Sequence, residues 1–344
     1  MKNILVTGAA GFIGSEFVRI MAQEHPEYNI ISFDKLTYAG NTDNLLPLKD
    51  VANHTFVQGD IADLEGVRGV FEANEIDTVV NFAAESHVDR SILEPEAFIT
   101  TDVFGVYRLL EASRQHGIER FLQVSTDEVY GDVEEGFSLE SDAFLPNSPY
   151  AASKASGELM VRSYNVTYGM DTVISRGSNT YGQYQYPEKL IPLFITEALE
   201  DNPLPVYGDG MQVRDWLHVE DHARGVMQVL FEGKSGEAYN IAGEDVRHNI
   251  DVIKLLLSIM EKPESLITYV RDREGHDRRY AMNADKAKNE LGWVRRHTFE
   301  EGLAQTVQWY IDNEWWWRKI KTGEYLEYYK TQYAERLADA GKES

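Results

Sequence analysis

The first half of the chain alternates two rhythms. Short aliphatic and β-branched runs, Asn3–Thr7, Asn29–Asp34, His54–Gln58, Thr78–Ala83, Phe121–Ser125 and Thr172–Arg176, are bounded by polar or turn residues and predict strands. Between them, helically spaced apolar residues predict helices over Phe12–Glu24, Leu64–Asn74 and Asp102–His116, the last closed by Gly117 where a helix C-cap favours glycine. Strands this apolar, alternating with helices, predict a parallel sheet covered on both faces, an α/β doubly wound fold. Beyond about residue 183 the rhythm breaks: proline and tyrosine become dense from Tyr184 to Tyr207, and later segments are less regular. The expectation is a nucleotide-binding Rossmann domain over 1–182, rejoined by 216–246, with a smaller mixed α/β substrate domain over 183–344. The tail sets Trp315, Trp316, Trp317, Tyr325, Tyr328, Tyr329 and Tyr333 on a charged helical pattern, which predicts packing against the body or a subunit contact.

The 344 residues suit two coupled units, and an apolar share of 43% with 26% charged is that of a packed protein rather than a disordered one. Lys and Arg total 33 against 57 Asp and Glu, a formal net charge of −24. Such a surface repels phosphate backbones and anionic lipid, so neither nucleic acid nor a membrane is an expected partner. An anionic substrate then needs cations placed locally. The absence of cysteine removes disulfides, thiolate nucleophiles and Cys-ligated metal. The apolar start Met1–Thr7 is halted by Gly8, too short for a signal core or a membrane span, so the expected location is the cytoplasm.

Gly8, Gly11 and Gly14 stand between the first strand and the first helix. Glycines there permit a tight turn, a close backbone approach to a pyrophosphate and close helix–strand packing, and the helix N-terminus offers N–H groups to phosphate oxygens. Asp34, twenty residues past Gly14 and ending the second strand, is placed to accept from a ribose diol and to repel a 2′-phosphate. The predicted cofactor is NAD. Asp60, after the third strand, is placed either to reach the adenine amino group or to cap the next helix.

Tyr150 and Lys154 lie one helical turn apart, on one face. For a phenol to act as a base near neutrality its pKa must fall by about three units, roughly 4 kcal/mol, for which the Lys154 ammonium and a cationic nicotinamide are the expected sources. Thr126, Asp127 and Glu128 follow the fifth strand at the edge where such sheets bind ligands. Adjacent acids in a cleft repel, leaving one carboxyl protonated and the other ionised, the pair that elimination of water requires. His218 and His222 share the spacing of paired metal ligands but lack the His-Glu-x-x-His order and straddle a predicted strand–helix junction, so no metal is expected.

With Ala83–Ser91, Ser125–Gly131, Tyr150–Lys154, Pro187–Pro192, Arg214–His222 and Asp272–Asp277, the sequence resembles the extended short-chain dehydrogenase/reductase superfamily and, within it, the dTDP-glucose 4,6-dehydratase family; the resemblance spans nearly the whole chain. It implies dTDP-glucose as substrate. Tyr150, tuned by Lys154, would take the C4 hydroxyl proton as hydride leaves for NAD, with Thr126 bonded to that oxygen. Glu128 would then remove the C5 proton and Asp127 protonate the departing C6 hydroxyl before hydride returns to C6. Cofactor contacts would extend to Phe12, Ile13, Lys35, Thr37, Ile61, Ala83, Ala84, Ser86 and Thr101. Asn179, Glu188, Leu190, Asn249, Arg273 and His276 would line the nucleotide-sugar site with Ser86. Lys189 and Arg214 would meet the diphosphate, and Pro205 and Tyr207 would flank the thymine. A homodimer through 102–116 and 153–168 is also implied. Gly177, Thr180, His248 and Glu274 depart from the family's usual residues. Open alternatives are the same chemistry on a UDP-, CDP- or GDP-hexose, a nucleotide-sugar 4-epimerase, or a dinucleotide sensor.

Overall fold

A computed structural model describes residues 1–273 and 275–343. Among the described residues, twelve strands run β1 Asn3–Thr7, β2 Asn29–Asp34, β3 His54–Gln58, β4 Thr78–Asn81, β5 Arg120–Thr126, β6 Thr172–Gly177, β7 Asn179–Tyr181, β8 Leu204–Tyr207, β9 Val213–His218, β10 Ala238–Ile241, β11 Val246–His248 and β12 Ile267–Val270. Seven form one parallel sheet in the order β10-β6-β5-β4-β1-β2-β3. Strand order reverses between β1 and β4, so the loops leaving their carboxyl ends part there and open a crevice. Two apolar clusters cover the two faces, as a sheet of continuous hydrophobic strands demands.

Boundaries differ from the sequence expectation at four elements: β5 runs one residue further at each end and β6 one residue further at its carboxyl end, and two others differ more. The fourth strand stops at Asn81 rather than Ala83 because the chain must leave the sheet to pass over the glycine turn: a Cβ on Gly8 would lie 2.6 Å from the Ala83 nitrogen. The helix expected over Asp102–His116 is split into a wide π turn over Ile99–Gly105 and a regular helix over Val106–His116. Asp102 on that turn accepts from Ser153 Oγ at 2.7 Å and from the Glu85 backbone N–H at 3.1 Å, joining the turn to helix Pro149–Tyr168. Apolar spacing does not register an extra residue in one turn.

The remaining strands are mixed: β11-β9-β7, antiparallel then parallel, and a parallel pair β8–β12. With helices Leu190–Leu199, Asn249–Ile259 and Phe299–Asp312 they enclose a third apolar cluster, which includes Tyr181, Phe194, Leu256, Trp316 and Trp317. The chain returns to the large sheet through β10, and helix Val219–Glu232 packs on helix Phe12–Glu24. The tail packs as its aromatics suggest. Trp316 is buried and its indole N–H donates to Asn44 Oδ1 at 2.9 Å, while the Asn44 amide donates to the Ala10 carbonyl at 2.9 Å, bracing the glycine turn from behind. Among the described residues no helix is long and apolar enough to cross a membrane.

One buried ion pair fixes helix Pro149–Tyr168 to the sheet. Arg176 on β6 grips Glu158 with two guanidinium nitrogens, the shorter contact 2.7 Å, and both side chains are almost wholly enclosed. Glu158→Ala strands that guanidinium and is expected to cost about 3–5 kcal/mol in urea unfolding, with part recovered in Glu158→Leu/Arg176→Met. A loss below about 1 kcal/mol, the level of an exposed pair, would show that the bridge does not anchor the helix.

Candidate active site

The crevice is a cleft of about 300 Å³ bordered by Gly8, Gly11, Phe12, Ile13, Gly14, Asp34, Lys35, Thr37, Asp60, Ile61, Ala83, Ala84, Ser86, Thr101, Tyr150 and Lys154, so every residue assigned to the cofactor faces one space. Gly8 is held at φ +65°, and a Cβ on Gly14 would lie 2.3 Å from the Gly8 carbonyl, so side chains are excluded at both positions. Helix Phe12–Glu24 begins at Gly11 with no side-chain cap, leaving its first N–H groups for an anion. Asp34 accepts from the Ala10 and Leu36 N–H groups at 2.9 and 2.8 Å, stabilising the turn, while burial raises its pKa. Asp60 caps no helix. It closes a turn on the Ala62 N–H at 2.8 Å and pairs with Lys35 at 2.8 Å, and Asp63 caps helix Leu64–Asn74 instead. This cradle fits a dinucleotide.

The reacting groups meet at the end of β5. Thr126 caps the short 3₁₀ turn Asp127–Tyr130, accepting from the Glu128 N–H at 3.3 Å and donating to Asp127 Oδ1 at 3.1 Å. Asp127 is 3% exposed and its Oδ2 has no hydrogen-bond partner. Burial, then the charges of Glu128 and Asp215, push its pKa up to about 8. Burial also raises Glu128, but Arg273, Arg214 and Lys189 pull it the other way. Burial thus raises both acids, and at Glu128 three nearby cations oppose the rise, so the two carboxyls stand in different surroundings.

Tyr150 opens helix Pro149–Tyr168, where Ser148 caps through the Ala151 N–H and Pro149 fills the first position. Lys154, one turn on and 6% exposed, donates to the Val124 carbonyl at 2.9 Å. The expected tuning of the phenol by Lys154 is not met by the protein alone: burial, Glu128 and Asp102 raise Tyr150 well above its ordinary value, and burial lowers Lys154 itself. The opposing influence comes from a hydrogen bond with Thr126.

A second chamber of about 160 Å³ adjoins the cleft; Glu128, Asn179, Glu188 and Lys189 border both. Leu190, Pro205, Tyr207, Arg214, Asn249, Arg273 and His276 line the chamber, whereas Ser86, Thr126 and Asp127 lie on the cleft side. Asn179 Oδ1, Asn249 Oδ1 and Arg273 Nε are buried without partners, donors and acceptors left for a polar ligand. Arg214 donates to the Val213 and Asp277 carbonyls at 2.8 and 3.0 Å and lies over the Tyr280 ring, with no carboxylate of the described residues on its guanidinium. Lys189 donates to the Ser86 carbonyl. Glu188, expected to line the nucleotide-sugar site, borders both spaces and is held there by Arg90 at 3.3 Å and by the Tyr38 hydroxyl at 3.0 Å.

Sequence reasoning missed Asp89, which pairs with Arg273 at 2.7 Å and accepts from the Tyr207 hydroxyl at 3.2 Å, although it lies inside the Ala83–Ser91 stretch. It also missed the tail's Tyr333, which stacks on Tyr207 in the chamber wall. Two departures from the family's usual residues border one side chain: a Cβ on Gly177 would sit 2.2 Å from the His222 ring, and Thr180 Oγ1 meets His222 Nδ1 at 2.7 Å. His222 is therefore spent on Thr180 and forms no cluster with His218. His248 contacts the Met211 carbonyl at 3.0 Å, and Glu274 lies outside the described residues.

Residues 5–306 match the family described as GDP-mannose 4,6 dehydratase. The dTDP-glucose 4,6-dehydratase of Neisseria meningitidis serogroup B is 48% identical over 347 aligned residues, covering 94% of this chain and 98% of that protein. DesIV, the dTDP-glucose 4,6-dehydratase of Streptomyces venezuelae solved with NAD and TYD bound, superposes with a TM-score of 0.90 at 46% identity, covering 93% of this chain and 100% of that one. The Bacillus anthracis dTDP-glucose 4,6-dehydratase, solved in complex with NAD, gives a TM-score of 0.87 at 46% identity over 93% of this chain and all of that one. With a correspondence over nearly the whole of both chains and the Asp127–Glu128 pair at the end of β5, the chain belongs to the dTDP-glucose 4,6-dehydratase family.

Proposed function

We propose that the protein converts dTDP-glucose to dTDP-4-keto-6-deoxyglucose and water, using NAD that is regenerated within each turnover. The observation that carries this reading is the buried Asp127 carboxyl, kept neutral beside Glu128 at the junction of cleft and chamber. The fold is shared by proteins with other activities on nucleotide sugars; the acid pair is what dehydration needs and C4 inversion does not.

The glycine turn, the N-terminus of helix Phe12–Glu24 and Asp34 hold the dinucleotide. Held there, NAD would supply the hydride acceptor for C4 and the hydride donor for C6, and its oxidised ring would supply positive charge beside the Tyr150 phenol. Tyr150 takes the C4 hydroxyl proton, with Thr126 donating to that oxygen. The ketone so formed acidifies the C5 hydrogen. Glu128 removes it, and Asp127 Oδ2 donates its proton to the C6 hydroxyl as water leaves. Arg214 and Lys189 receive the diphosphate, answering the −24 charge locally. The labour divides by region: 1–182 with 216–246 hold the dinucleotide, and 183–344 mainly hold the nucleotide sugar. Phe104, Tyr107, Leu159 and Val166 leave an exposed apolar strip on adjoining helices, which supports a homodimer through that face. The cysteine-free composition fits a cytoplasmic enzyme.

Incubation of the purified protein with dTDP-, UDP-, CDP- and GDP-hexoses and no added NAD should give the alkali-dependent absorbance of a 4-keto product from dTDP-glucose. Appearance of the C4 epimer, or no product, would refute the reading. Asp127→Asn and Glu128→Gln should each lower dehydration by about 10²–10⁴-fold with nucleotide binding little changed. The protonated Asp127 is the donor, so with its pKa pushed up to about 8 turnover should fall as pH rises through that value, and the same limb should vanish in Asp127→Asn. Phe104→Glu with Leu159→Lys should convert a dimer to a monomer by light scattering; a monomeric parent protein would rule that interface out.

A further inference from the structure

His218 ends β9, where the chain turns into helix Val219–Glu232, and is 4% exposed with neither ring nitrogen hydrogen-bonded. A buried imidazole without partners costs free energy that a native structure normally recovers through water, protein or an ion. Its ring lies 4.1 Å, centroid to centroid, from that of His297, just before helix Phe299–Asp312. Glu220 completes the group, and one donor atom from each of the three lies within 4.8 Å of the others. None of the three borders the cleft or the chamber.

The surrounding bonds orient this trio. The His297 Nδ1–H donates to Asp221 Oδ2 at 3.1 Å, which leaves the Nε2 lone pair directed away from that bond, the carboxylate–imidazole arrangement that presents a ligand nitrogen. Nε2 stands 3.8 Å from Glu220 Oε2. The other Glu220 oxygen, Oε1, is taken by Arg224 at 2.8 Å and faces Arg296 at 3.7 Å, so the glutamate is fixed with Oε2 toward the imidazoles. An ion pair of protonated His297 with Asp221 and Glu220 would satisfy those three groups but leave both nitrogens of His218 unanswered.

We propose that His218, Glu220 and His297 form a zinc site with Asp221 as its orienting carboxylate. Two imidazoles and one carboxylate are a known tetrahedral donor set for this ion, with water in the fourth position. At bond lengths of about 2.0–2.2 Å the ligand atoms of a tetrahedral ion lie roughly 3.4 Å apart, so small side-chain rotations close the present spacing. The role that follows is structural. The ion ties the start of helix Val219–Glu232, which packs on the nucleotide-binding half, to the start of helix Phe299–Asp312, which belongs to the third apolar cluster.

Tag-free protein, stripped with chelator and reloaded with Zn²⁺, should retain one ion per chain after desalting and melt at a higher temperature than the stripped form. Co²⁺ in its place should give the intense visible bands of tetrahedral coordination. His297→Gln, Glu220→Gln and His218→Phe should each weaken zinc binding more than tenfold while turnover on dTDP-glucose is retained, which also shows that they fold. Sub-stoichiometric zinc in the parent protein, or unchanged affinity in the three variants, would overturn the site.

Discussion

Two carboxyl groups on consecutive residues cannot both remain ionised out of water, and the reacting centre is built around that constraint. Asp127 faces inward from the 3₁₀ turn, with one oxygen held by Thr126 and the other unpartnered. Glu128 points toward the junction with the chamber, where Arg214, Arg273 and Lys189 supply the compensating field. The asymmetry is one of surroundings, since the two side chains carry the same functional group. It accounts for the placement of cations in a strongly acidic protein: those near the site come from segments far apart in sequence and converge where negative charge must be held.

Much of this was legible beforehand, for identifiable reasons. Strands β1, β2 and β3 and helices Phe12–Glu24 and Leu64–Asn74 were found to the residue because apolar period, length and turn residues agree there. The fourth strand was overextended because its end is set by the approach to Gly8, a tertiary contact. The wide turn over Ile99–Gly105 left no trace in the apolar pattern. At the site, the local pairs Tyr150–Lys154 and Asp127–Glu128 could be reasoned from spacing. Arg214, Arg273 and Asn249 could be assigned only through resemblance, because no spacing brings them together. The field on Tyr150 could not be read at all, since it depends on how deeply the phenol is buried beside Glu128 and Asp102.

The ring of His222 occupies the volume that a side chain at residue 177 would need, and its Nδ1 meets the hydroxyl of Thr180, so both positions border one histidine on the wall of the cleft. The histidine spacing noticed in sequence misleads because the chain turns between the two: His218 is directed to His297, a residue of a different element.

The brace of Trp316 on Asn44, and of Asn44 on the Ala10 carbonyl, makes the amino-terminal cradle depend on a residue 272 positions further along the chain. A nascent chain can lay down the first strands and helices of the sheet well before Trp316 exists. The phosphate-holding turn gains its rear support only once residue 316 has been made, so a rigid cradle depends on segments from both halves of the chain.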